Sequence, residues 1–159
     1  MSTCAIFNYI MKLEKIFMHT RVAEAGMTVG EFFTESSRLC IPALPFCTKS
    51  GRIKGRVTLK NILKTSFLPD YLVDSAQILG DELASTKDIE AKAQQLLVMP
   101  VDPYVQEPHQ SVSSDSSCAK ALALMEQIDT SYLFVVDDWQ YRGVVTIQSL
   151  ARALFQLDQ

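Results

Sequence analysis

The tetrad Gly-x-Val-Thr stands twice in this 159-residue chain, as Gly55-Arg56-Val57-Thr58 and Gly143-Val144-Val145-Thr146, 88 residues apart (143 − 55). The elements around it recur in the same order. In the first copy Val29, Phe32, Phe33 and Leu39 form the apolar stripe of a helix, with Thr28 placed to cap it. An apolar run, Ile41 to Cys47, follows, then the turn signal Lys49-Ser50-Gly51-Arg52, a second run from Ile53 to Leu59, and a helix opening near Asn61. In the second copy Ser117 caps a helix from Cys118 to Met125. Tyr132 to Val136 is a strand, Asp137 to Gln140 a turn, Tyr141 to Ile147 a second strand, and Ser149 opens the last helix. Two matching sets of elements predict two like units rather than one irregular domain.

The remaining segments lie between and before the copies. Residues 67–99 are longer than an ordinary loop. They read as a helical connector, with Pro69 in one helix start and a capping-box-like Ser85-Thr86-Lys87-Asp88 before a helix at Ile89–Leu97. Val101 to Val112 reads as an extended lead-in to the second copy, broken by Pro103 and Pro108. At the start Ile6, Ile10, Leu13 and Phe17 recur at helical spacing. The organisation expected is therefore an N-terminal helix (1–18), a first unit (19–66), the connector (67–99) and a second unit (100–159).

Composition removes several classes of function. The apolar fraction of 48% with 21% charged residues is that of a globular chain. A net charge of −3 sets nucleic acid aside as the default partner, because neutralising phosphates needs a basic surface. The basic run Lys49, Arg52, Lys54, Arg56, Lys60 and Lys64 reads first as a solvated turn and helix face. Nothing reads as a membrane span or a secretion signal, so the expected setting is the cytoplasm, without membrane insertion. The four cysteines, Cys4 included, show no metal-ligand spacing; Cys40, Cys47 and Cys118 stand among apolar residues and read as small buried hydrophobes in a reducing compartment. His19 and His109 stand alone, so no metal site is expected. No GxSxG, HExxH, P-loop or GxGxxG pattern occurs, so no catalytic residues are assigned and the chain is read as a non-enzyme.

Strand, polar turn, strand ending Gly-hydrophobic-hydrophobic-Thr, then helix, twice over, resembles the CBS domain family, named for cystathionine β-synthase. Leu44 to Leu63 and Leu133 to Leu150 carry the resemblance, which covers nearly everything from about Thr20 onward. It implies an α+β fold: two β-α-β-β-α units packed as a pseudo-two-fold module. It also implies a sensor, because clefts between such units commonly take adenosine-containing ligands such as AMP, ADP, ATP or S-adenosylmethionine. In the family motif Gly-h-h-Thr/Ser-x-x-Asp the hydroxyl lies near a phosphate and the Asp holds the ribose hydroxyls. A helix N-terminus suits an anion, and a carboxylate can accept from two hydroxyls.

Carried onto this chain, Thr58 and Thr146 keep the phosphate-side hydroxyl. Asn61 and Ser149 stand where the family has Asp, and each is a poorer acceptor for a diol. The base side falls on Ile41, Pro42 and Ala43 in the first copy and on Ser131 and Tyr132 in the second. Pro42 has no N–H to offer, whereas Ser131 has both N–H and hydroxyl. Arg56 adds charge to the first cleft, and Val144 lines the second. The resemblance thus implies a non-catalytic regulatory module that needs no cofactor and acts as a homodimer or on a regulated partner protein. The alternative is a structural pair for dimerisation or docking, its ligand clefts vestigial. Asn61 and Ser149 favour the second reading; Thr58, Thr146 and Arg56 favour the first. Both threonines also serve as plain helix caps in the bland reading. Asp137-Asp138 reads as turn chemistry with ordinary carboxylates. Trp139 is expected to pack on a neighbouring strand, with an interface anchor as the alternative.

Overall fold

The computed structural model describes residues 11–78 and 89–155. Each copy forms the predicted antiparallel hairpin between two helices. In the first copy these are α1 (Val29–Leu39), β1 (Ala43–Cys47), β2 (Ile53–Thr58) and α2 (Leu59–Phe67). The connector supplies α3 (Asp70–Asp74) and α4 (Ile89–Leu97), and the second copy has α5 (Cys118–Gln127), β3 (Tyr132–Asp137), β4 (Gln140–Thr146) and α6 (Ile147–Leu154). The segment Ser85–Asp88, read as a capping box for α4, lies outside the described residues.

The helix starts follow from local chemistry. Thr28 accepts from the Glu31 N–H at 3.1 Å while Glu31 accepts from the Thr28 N–H at 2.8 Å, closing a capping box on α1. These bonds hold the Glu31 carboxyl below its ordinary range. Ser117 caps α5 through the Lys120 N–H at 3.2 Å. At the far end of α1, Cys40 takes the left-handed conformation with φ 52°. That cap turns Cys40 outward, so its expected burial is not found, whereas Cys47 and Cys118 are buried. Burial pushes the Cys47 thiol up to about 11, which makes it an inert packing group.

Both hairpins carry a bulge at the same place. Phe46 pairs with Gly55 and Cys47 with Ile53, leaving Lys54 extra; Val135 pairs with Gly143 and Val136 with Tyr141, leaving Arg142 extra. Each copy's first helix is preceded by a residue that pairs in parallel with the hairpin, Ala23 with Phe46 and Val112 with Val135.

The chain separates into two compact units, Thr20–His109 and residues 1–19 with 110–159. Residues 100–109, expected to lead into the second copy, therefore fold with the first. Val101 donates to the Met27 carbonyl at 2.8 Å, and Arg56 and Gln106 exchange backbone bonds of 2.9 Å. Pro103 and Pro108 lack the N–H groups of a long strand, and only Val112 reaches β3. The start of the chain mirrors this within the other unit. Met18 and Val144 exchange backbone bonds of 2.8 and 2.9 Å, and Leu13 donates to Ser116 at 3.0 Å. Met18 and Gln106 are the same 88 residues apart as the tetrads, so the repeat includes these leading segments.

The helix expected over residues 1–18 is not what residues 11–19 form. They make one 3-10 turn, Leu13–Lys15, between bridged residues, while Ile6 and Ile10 lie outside the described residues. Leu13 and Ile16 instead join Ala121, Met125, Leu133, Val135, Val145 and Leu150 in the core of the second-copy unit. Burying a leucine of this kind is worth roughly 1.5–3 kcal/mol, enough to fix the segment there.

Candidate functional site

In both copies the residues expected to hold a ligand gather where the second strand turns into its helix. In the first copy Ala43 pairs with Thr58, and the Pro42 carbonyl accepts from the Leu59 N–H at 3.0 Å. The second copy repeats this with Tyr132 opposite Thr146 and the Ser131 carbonyl accepting from Ile147 at 2.8 Å. Thr58 and Thr146 both cap: each accepts from the N–H three residues on, Asn61 and Ser149, at 3.1 Å. Both threonines are buried, as are Ile41 and Val144. Strand pairing therefore places a hydroxyl at the N-terminus of α2 and of α6, where the helix dipole is positive.

The copies then diverge. In the first, the leading segment 104–109 engages each polar side chain in turn. Asn61 Nδ2 donates to the Tyr104 carbonyl at 3.0 Å, and Thr58 Oγ1 donates to Gln106 Oε1 at 3.4 Å. Arg56 Nε donates to the Glu107 carbonyl at 2.9 Å, and its Nη1 meets Nε2 of His109. Burial and the adjacent Arg56 guanidinium lower the His109 pKa, so the ring favours its neutral form. In the second copy Met18 stands in the place of Gln106, and a thioether is only a weak acceptor. Ser149 is used by its own cap: its hydroxyl accepts from the Thr146 N–H and donates to the Thr146 carbonyl, both at 2.9 Å. Tyr132 packs against Phe134 with ring centroids 5.4 Å apart.

Tyr104, Gln106 and Glu107 are thus site neighbours that the sequence does not announce, and His109, expected to stand alone, meets Arg56 there. The signal available was glycine. A Cβ at Gly55 would come within 2.5 Å of Val105 Cγ1 and 2.8 Å of the Gln106 carbonyl oxygen. At Gly143 it would overlap the Met18 carbonyl oxygen and come within 2.5 Å of Phe17 Cδ2. The glycine shared by the two tetrads marks the crossing of the leading segment.

A separate open groove of about 630 Å³ lies in the first-copy unit, between Thr20 and Met27, with Glu31 on its wall. None of the expected ligand residues lines it. Gly26, one of its lining residues, donates its N–H to Asp102 Oδ2 at 2.9 Å.

Two turn residues differ from expectation. Trp139 does not pack on a neighbouring strand; it is 78% exposed. Asp137 is no ordinary solvated carboxylate, since hydrogen bonds from Ser114 and Ser113 hold its pKa below the usual range, helped by Arg142.

Among curated proteins none matches the sequence. Residues 101–156 match the model of the CBS domain family. Among solved structures, the fold is similar to the CBS domain of a CBS domain containing membrane protein from Sphaerobacter thermophilus. That pair has a TM-score of 0.64 and 16% identity, covering 89% of this chain and 86% of the other. It is also similar to CBSX2 in complex with AMP, with a TM-score of 0.65, 14% identity, and 94% and 99% of the two chains covered. The CBS domain pair of protein MJ0100, in complex with 5′-methylthioadenosine and S-adenosyl-L-methionine, gives 0.62, 16%, and 94% and 99%. Among the described residues no helix is long and apolar enough to cross a membrane. Residues 101–156 thus match a CBS domain, and the chain as a whole shares the α+β fold of CBS-domain structures.

Proposed function

We propose that this protein is a non-catalytic regulatory module whose CBS units take an adenosine-containing ligand of the AMP, ADP, ATP or S-adenosylmethionine class. One observation supports the reading above the others: in both copies a buried threonine at the end of the second strand caps the following helix. A hydroxyl beside a positive helix N-terminus is suited to a phosphate or a ribose. The ligands named for the similar structures, AMP and S-adenosyl-L-methionine, belong to the same chemical class. CBS domains are generally regulatory rather than catalytic, so the controlled activity would sit on a partner protein. Exposed Leu122 on α5, Ile147 and Leu154 on α6, and Phe155 just after it suit a homodimer.

A specific observation favours the second reading, a structural pair with unused clefts. Asn61 Oδ1 accepts from the Thr65 hydroxyl at 3.4 Å and Ser149 Oγ from the Thr146 N–H at 2.9 Å, so each ribose-side acceptor already has a partner. Thermal-shift and calorimetric titration with AMP, ADP, ATP and S-adenosylmethionine separates the two. One ligand at a hundredfold excess over Kd should raise stability by about 2.7 kcal/mol. Thr146→Ala should weaken that binding while His19→Ala leaves it unchanged. Absence of any shift at millimolar ligand sinks the sensor and leaves the structural pair.

A further inference from the structure

The two hairpin tips are built from opposite chemistries. At the second, Asp137 pairs with Gln140, so the loop is only Asp138 and Trp139, with φ of 50° and 66°. Positive φ at both central residues is what a two-residue hairpin turn demands, and Asn-Gly or Asp-Gly is the usual solution. A bulky ring there is an outlier. With Trp139 at 78% exposure, packing within the described chain does not offset the strain. At the first tip the positive φ falls on Gly51, at 82°, and Lys49, Arg52 and Lys54 are exposed around it.

Charge separates them further. From Lys49 to Lys64 the chain holds six Lys or Arg and no Asp or Glu, whereas from Ala121 to Tyr141 it holds four Asp or Glu and no Lys or Arg. Part of each set is already engaged: Lys64 lies 3.8 Å from Asp70, Arg56 meets His109, and Asp137 lies 3.9 Å from Arg142, just beyond the acidic stretch, and is held by Ser113 and Ser114. Among the described residues, Lys49, Arg52, Lys54 and Asp138 take part in no ion pair.

We propose that the Asp138-Trp139 tip docks on the Lys49–Arg52 tip of a second copy of this chain. A guanidinium or ammonium lies well over an indole face, and the Asp138 carboxylate supplies the matching ion pair. Trp and Arg are the residues that carry most of the energy at interface centres. The partner is a second copy because both halves of the pair are on this chain, at equivalent turns of its two repeats. This interface is separate from the α5–α6 face and does not depend on nucleotide binding.

Sedimentation velocity without added ligand tests it. Self-association should weaken at least tenfold as salt rises from about 0.1 M to about 1 M, where screening shortens from about 10 Å to about 3 Å. Asp138→Lys and Arg52→Glu should each weaken it severalfold, and the two together in one chain should restore it. Trp139→Gly should also weaken association while raising the Tm, because it removes the strained ring; this keeps loss of contact distinct from loss of fold. A chain that stays monomeric at all salts overturns the proposal. So does association that the single reversals leave unchanged, which would place the contact on the α5–α6 face, or failure of the double reversal to restore it.

Discussion

The two copies share a skeleton and differ in what their leading segments do. Around β2 the segment 104–109 binds the first copy's polar groups by side chain as well as backbone, through Asn61, Thr58 and Arg56. Around β4 the segment 11–18 contributes apolar contacts and backbone bonds, and the polar groups of Thr146 and Ser149 close on each other. The difference teaches that one repeat can be held by two chemistries. The first copy is a strap tied by hydrogen bonds; the second is a cap standing on a hydrophobic seam.

Substitution at the two glycines should break the comparison most strongly. Gly143→Ala drives a methyl into the Met18 backbone and the Phe17 ring and should cost about 3 kcal/mol. Gly55→Ala meets a movable Val105 methyl as well as the Gln106 carbonyl and should cost about 2 kcal/mol. Chemical denaturation reads both; equal losses would mean that the two crossings are equally rigid.

Placing the family carboxylate in each copy sharpens the comparison at a smaller scale. Asn61→Asp removes the amide donor to Tyr104 and turns an anion toward that carbonyl, for a loss of about 1–2 kcal/mol. Ser149→Asp still accepts from the Thr146 N–H in the first turn of α6, where an acid is favoured, and should change stability by less than about 0.5 kcal/mol. If the reverse order appears, the strap is not what holds Asn61.

The smallest effect is in pH. The His109 pKa is lowered in the fold, so the neutral ring is stabilising above the unfolded value of about 6.5 and that contribution is lost as pH falls below it. In the second copy Asp137 is lowered too, and its contribution is lost only in the more acid carboxylate range. Protection of the amides near Gln106, measured against their intrinsic exchange rates, should therefore fall between about pH 7 and 5 while that near Ser114 does not, and His109→Ala should remove the difference.

The hairpins and capped helices were legible because they depend on side chains: apolar runs, Gly51, and the hydroxyls of Thr28, Thr58, Ser117 and Thr146. The expected ligand residues do lie at the strand-to-helix junctions, and there too the pattern is local. What escaped the sequence is made by backbone. Met18 and Gln106 pair through their N–H and C=O groups, which every residue has, so neither side chain announces the crossing. Burial at Cys40 was misread because a left-handed cap reverses which side faces water. Trp139 was misread because apolarity predicts packing, whereas a two-residue turn leaves its ring nowhere to fold back.

The exchanged leading segments set an order in time. Met18 is made early, but its partner Val144 follows 126 residues later (144 − 18). At 5–20 residues per second the wait is roughly 6–25 s. Throughout it the ribosome holds a nascent chain whose Leu13 and Ile16 have no core to enter. The first-copy unit needs nothing beyond His109 and can close while that wait continues, so synthesis itself separates two repeats that the finished molecule presents as equals.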